Sequence, residues 1–113
     1  MTERPFACTV EDGVLNVAGA LDELAIITLR NAVAEHSSEH TRDLVVSLDE
    51  VDYLPSVAIG VLTRAMSRAQ TSGAELTLVA RPGSMAQRVL GINGLPHRPT
   101  IAAVQGDESG LLA

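Results

Sequence analysis

Apolar positions recur along this chain at two alternating periods, and the switches between them delimit the expected elements. Over 6–10 and again over 14–18 they fall at every second position, as in half-buried strands, with Asp12-Gly13 between them as a hairpin turn. Gly19 is expected to end the second strand. Over 23–36 the period becomes helical, and Ala25, Leu29, Ala32 and Val33 form one stripe. The segment LVVSL at 44–48 is short, β-branched and apolar, consistent with a central strand buried on both faces. After Pro55 a second helix is expected over 56–72. Its apolar stripe is Val57, Ala58, Val61, Leu62, Ala65 and Ala69, and Gly73 stands where a C-terminal cap belongs. A strand at 74–80 follows, then a shorter helix introduced by Pro82 and capped by Ser84, which carries Met85, Val89 and Leu90 and is closed by Gly94. A last strand is expected at 100–104, and beyond it only a weak terminal helix, interrupted by Gly106 and Gly110.

The order β-β-α-β-α-β-α-β contains strand–helix–strand units, which imply right-handed crossovers and parallel pairing. The expected fold is therefore α/β: a single domain over 1–113, with helices packed on a mixed, mostly parallel sheet of about five strands. A chain of 113 residues can bury an ordinary core without staples.

Composition narrows the function classes. Phe6 and Tyr53 are the only aromatic residues, which argues against nucleic-acid modules that stack bases on aromatic platforms. Eight basic residues against 14 acidic ones give a net charge of −6, so direct nucleic-acid binding is not expected and a basic protein partner fits better. The lone Cys8 rules out an internal disulfide framework; it lies in an alternating apolar stretch and is expected to be a buried, reduced thiol. Residues 1–6 lack a cationic segment leading into an apolar one, and no apolar run approaches the length of a membrane span. The expectation is a cytoplasmic protein without membrane insertion.

Local sequences add a family resemblance. Gly19-Ala20-Leu21-Asp22 before a helix resembles the Gly-Glu-Leu-Asp element that follows the second strand of STAS domains. The block LVVSLDEVDYLPSVAIGVL at 44–62 resembles that family's signature, a buried strand running through an acidic turn into a helix whose first turn bears a regulatory serine. Leu76 to Ala80, Val89-Leu90 and Asn93-Gly94-Leu95 are similar to its later strand and third helix. Among STAS domains the chain most resembles the anti-sigma-factor antagonists. There the helix opens with Asp-Ser-Ser/Thr-Gly, and an anti-sigma kinase phosphorylates the first serine. The resemblance implies that Ser56 is that residue, although Pro55, Val57 and Ala58 replace its usual neighbours and Ser47 stands where the strand often carries Asp. It also implies a kinase-like ATPase anti-sigma factor as partner, release of a sigma factor, and no cofactor for the antagonist itself.

Two readings of Ser56 follow from its position. The hydroxyl could cap the helix by accepting an orphan backbone N–H. Alternatively, a phosphate there would sit at the positive end of the helix dipole and add negative charge to a rim containing Asp22, Asp49, Glu50 and Asp52. Leu24, Ile27 and Ile59 lie off their helices' apolar stripes. They form either an exposed docking patch or, with shifted helix boundaries, part of the core. Together with Asp22, Asp52, Pro55 and Val57 around Ser56, they are the expected partner-binding residues.

Catalytic and metal readings are weaker. Asp49, Glu50 and Asp52 lack the spacing of a calcium loop. His36-Ser37-Ser38-Glu39-His40 matches the H-x-x-E-H pattern of zinc peptidases but runs past the expected end of the first helix. Arg81-Pro82-Gly83-Ser84 lacks the lysine and spacing of a P-loop, and His97 has no carboxylate or nucleophile near it in sequence. The expectation is a binding protein and no enzyme. The alternatives to a phosphorylated antagonist are a non-phosphorylated STAS interaction or scaffold subunit, in stress signalling or lipid transport, and a small-ligand sensor.

Overall fold

Asp12 and Gly13 both take positive φ, 53° and 77°, the type I′ geometry whose twist suits a two-residue hairpin. The computed structural model describes residues 5–101. In it this turn joins β1 (Ala7–Glu11) to β2 (Val14–Ala20) in antiparallel register, with Glu11 opposite Val14. Then come α1 (Glu23–His36), β3 (Leu44–Tyr53), α2 (Ser56–Thr71), β4 (Leu76–Val79) and α3 (Met85–Ile92).

The sheet order is β1-β2-β3-β4, and β2, β3 and β4 run parallel. Both crossovers step in the same direction along the sheet, so right-handed connections bring α1 and α2 to one face. Val46 of β3 pairs with Leu15 of β2 and with Leu78 of β4, which puts these three side chains on one face. They join one buried cluster with Ala25, Leu29 and Val33 of α1, Ala58, Leu62 and Ala65 of α2, and Ala86 and Leu90 of α3. Leucine and valine dominate this core, as the composition requires. Cys8 is half-buried against it, and that burial raises the thiol pKa above its ordinary value.

Three expectations about strands need correction. Gly19 does not end β2; it continues the strand at φ 86° and pairs with Val51. β3 does not stop at Leu48 but runs to Tyr53, because it gains one residue on β2 at each of two register shifts. Core-facing positions therefore change spacing from Leu44, Val46 and Leu48 to Val51 and Leu54, and the break in alternation hides the second half of the strand. The expected fifth strand is absent at Thr100 and Ile101, and 102–104 lie outside the described residues, as does the expected terminal helix. Among the described residues a single bridge takes its place. The Arg98 N–H donates to Leu78 O (2.8 Å) and its carbonyl accepts from Ala80 N–H (3.0 Å). Pro96 and Pro99 bracket Arg98 and have no N–H to extend that pairing.

Helix ends follow their local chemistry. Ser84 caps α3 by accepting the Gln87 N–H at 3.1 Å, as expected. α1 closes in a left-handed turn, with Ser38, Glu39 and His40 at φ 50°, 58° and 68°. Such residues cost roughly 1 kcal/mol each. The buried Ser37 hydroxyl holds the turn by donating to Val33 O (2.6 Å) and accepting from His40 N–H (3.0 Å).

Candidate functional site

Parallel strands that alternate with helices put the helix N-termini at one edge of the sheet, beyond the strands' C-terminal ends. Here Ala20 pairs with Tyr53, and the Leu21 N–H donates to Tyr53 O at 3.1 Å. The turn entering α1 is thereby tied to the turn entering α2. Asp22 and Ser56, each just beyond this tie, share the edge.

Asp22 is exposed and is the N-cap of α1, its Oδ1 accepting the Ala25 N–H at 2.9 Å. Ser56 is exposed too, but it is not a cap. Pro55 occupies the N-cap position of α2, and its carbonyl accepts from the Ala58 and Ile59 N–H groups at 2.9 and 3.2 Å. With Ser56 already helical, its hydroxyl makes no capping bond, which corrects the capping reading. α2 also has no acidic residue in its first turn, whereas Glu23 follows the capping Asp22 in α1. The first turn of α2 thus offers the positive end of its dipole no carboxylate of its own.

The apolar surroundings divide. Leu24 is 74% exposed and Ile27 is 48% exposed, as the docking-patch reading requires. Ile59 is only 7% exposed and belongs to the core, so it is removed from that patch. Val57, read from sequence as a core-stripe residue, is 63% exposed. The exchange follows from helical geometry: the buried arc of α2 centres on Leu62 and Ala69, and at about 100° per residue Ile59 falls inside it while Val57 falls well outside. Tyr53, half-exposed where β3 ends, joins the same edge and was missed because β3 was expected to stop earlier. Pro55 and Asp52 are half-buried, and Asp52 is engaged in an interaction of its own.

The other acidic residues of the rim have structural work. Asp49 Oδ1 accepts the Arg81 N–H at 2.6 Å, and the Arg81 guanidinium lies 3.4 Å from both Glu50 Oε2 and the Asp49 carbonyl. These contacts fix the β4–α3 turn rather than a metal. Among the described residues no group of three His, Cys, Asp or Glu side chains could hold a metal ion. His36 ends α1 while His40 lies in the left-handed turn, so the H-x-x-E-H residues do not share a helical face. His97 Nδ1 sits 2.9 Å from the Leu95 carbonyl oxygen. Among the described residues no helix is long and apolar enough to cross a membrane.

One feature of the charge distribution was not visible in the sequence. Arg30, Arg64 and Arg68 line a common groove between α1 and α2, although no basic run appears in the chain. The i, i+4 spacing of Arg64 and Arg68 was the available signal; their meeting with Arg30 depends on how the helices pack.

Comparison with known proteins agrees with this architecture. The fold is similar to that of an anti-sigma factor antagonist from Mycobacterium paratuberculosis, at 22% identity and a TM-score of 0.72, covering 91% of this chain and 92% of that one. It is also similar to the anti-sigma factor antagonist SpoIIAA in its unphosphorylated form, at 14% identity and a TM-score of 0.68, covering 94% and 97%. A Thermotoga maritima protein shares it at 19% identity and a TM-score of 0.64, covering 90% and 92%. At these identities the likeness establishes a common fold. Residues 6–97 match the family model described as Mlab, STAS domain, and with that match spanning most of its length the chain belongs to the STAS domain family.

Proposed function

We propose that the protein is an anti-sigma factor antagonist: it binds a kinase-like ATPase anti-sigma factor, thereby frees a sigma factor, and is switched off by phosphorylation of Ser56. The observation that carries this reading is the exposed Ser56 hydroxyl, unused as a cap, at the N-terminus of α2, whose first turn carries no acidic residue and no side-chain cap. A phosphate there meets the positive end of the α2 dipole and need not disturb the core. It also sets about two negative charges next to the exposed Val57, where a partner would have to desolvate them. Family membership and the antagonists that share the fold support the same reading. The protein works by binding, in the cytoplasm; ATP and magnesium belong to its partner.

The test is intact-mass analysis of wild type and Ser56→Ala after incubation with ATP, magnesium and each candidate anti-sigma kinase of the source organism. One added phosphate on wild type alone is the expected result. No phosphate with any of them removes the kinase switch. The reading then favoured is a STAS subunit that binds its partner constitutively, supported by Pro55, Val57 and Ala58 in place of the usual serine neighbours.

A further inference from the structure

α1 and α2 run side by side from the Ser56 edge, and a half-open groove of about 920 Å³ lies between them. Two helical stripes face it. On α1, Ile27, Arg30 and Ala34 follow one another at spacings of three and four; on α2, Val57, Arg64 and Arg68 fall within about 40° of each other around the axis. Each stripe begins with an exposed apolar residue and continues with arginine. Val61 and Ala65 are buried along the floor.

The charge on these walls is unusual for this chain. Three of only eight basic residues gather in one groove of a protein with net charge −6. None of the three guanidinium groups makes an ion pair or hydrogen bond among the described residues. Arg64 and Arg68 stand at i, i+4, a like-charge pair that slightly disfavours the helix. Glu35 and Glu39 also line the groove near the end of α1 but do not pair with the arginines. Unpaired guanidinium forks match carboxylates in geometry as well as charge. A trough between two helices, open to solvent, suits an amphipathic helix better than a small ligand, which needs most of its surface enclosed.

We propose that this groove is a docking surface for an acidic amphipathic helix of a protein partner, with apolar side chains seated on Ile27 and Val57 and carboxylates paired with Arg30, Arg64 and Arg68. The surface extends away from Ser56 and needs no phosphate there. It also makes the partner's contacting segment acidic, opposite to what the net charge of the chain suggests.

The test uses three synthetic helical peptides with the same apolar face and flanks of Glu, Gln or Lys, titrated by fluorescence anisotropy against wild type and Arg64→Glu/Arg68→Glu. The Glu peptide should bind wild type at least about tenfold more tightly than the Gln peptide at low salt, and the difference should shrink near 1 M salt, where screening is nearly complete. The double reversal should lose the Glu peptide and gain the Lys peptide. Should the double variant fail to fold, Arg30→Gln takes its place, with several-fold weaker Glu-peptide binding expected. Equal affinity for the Glu and Gln peptides, no binding of the Glu peptide, or undiminished Glu-peptide binding in a folded variant would each overturn the proposal. No anti-sigma factor or kinase enters this assay, so its outcome is independent of the Ser56 reading.

Discussion

Ser56 lies one residue inside α2, and this small offset separates two properties that the sequence leaves joined. A capping serine would carry helix stability and any regulatory role at once. Here the Pro55 carbonyl receives the first helical N–H groups, and the Ser56 hydroxyl is left to solvent. Ser56→Asp should therefore weaken partner binding without lowering the melting temperature. A carboxylate in the first turn of a helix even gains about 0.3–1 kcal/mol from the dipole. Circular dichroism melts of the two proteins provide the check, and a fall of several degrees in the variant would show that the hydroxyl supports the fold. The helix start at Ser56 was legible from Pro55 and the apolar stripe, but which residue caps it was not. Cap assignment turns on a single residue of register, finer than periodicity resolves.

At the scale of elements, hydrophobic period carried most of the information. It identified α1 with both its ends, and the turn residues Asp12-Gly13 identified the hairpin. It failed in β3, where two register shifts change the spacing of buried residues so that Val51 and Leu54 no longer continue the Leu44–Leu48 alternation. That second half of β3 leads directly into the site, so the error also hid Tyr53. Asp22 illustrates how element and site interlock, since it caps α1 and also stands on the proposed docking edge. Asp22→Ala should cost about 1 kcal/mol of stability through the lost cap. Asp22→Asn should keep the cap and lose only the charge. Urea denaturation of both variants separates the two contributions: equal losses would mean that the carboxylate charge, rather than the hydrogen bond to the Ala25 N–H, stabilises the helix.

For the whole molecule, the decisive division is between the aliphatic core, where the three helices meet the sheet, and the outer helical surface proposed for docking. The net charge does not describe that surface, because side-by-side packing of α1 and α2 gathers arginines from separate parts of the chain. Hydrophobicity alone does not describe it either: Ile59 and Val57 are near neighbours of similar character with opposite fates. Substituting glutamate at Ile27, Val57 and Ile59 tests the division directly. At Ile59 the carboxylate enters the aliphatic cluster around Ala58 and Leu62, and an unpaired charge buried there costs on the order of 3–5 kcal/mol. That is a large fraction of the roughly 5–15 kcal/mol that holds a small domain together, so Ile59→Glu should be unfolded or melt far below wild type. At Val57 and Ile27 the carboxylate stays in water, and at Val57 it lies in the first turn of α2, where the dipole favours it. Both variants should melt within a few degrees of wild type, surface changes usually costing less than about 0.5 kcal/mol. Both should nevertheless lose partner binding, because a charge then replaces an apolar anchor of the proposed docking surface. A stable Ile59→Glu would mean that α2 is rotated about its axis from the orientation described. An unfolded Val57→Glu would mean the same, with the error on the opposite face.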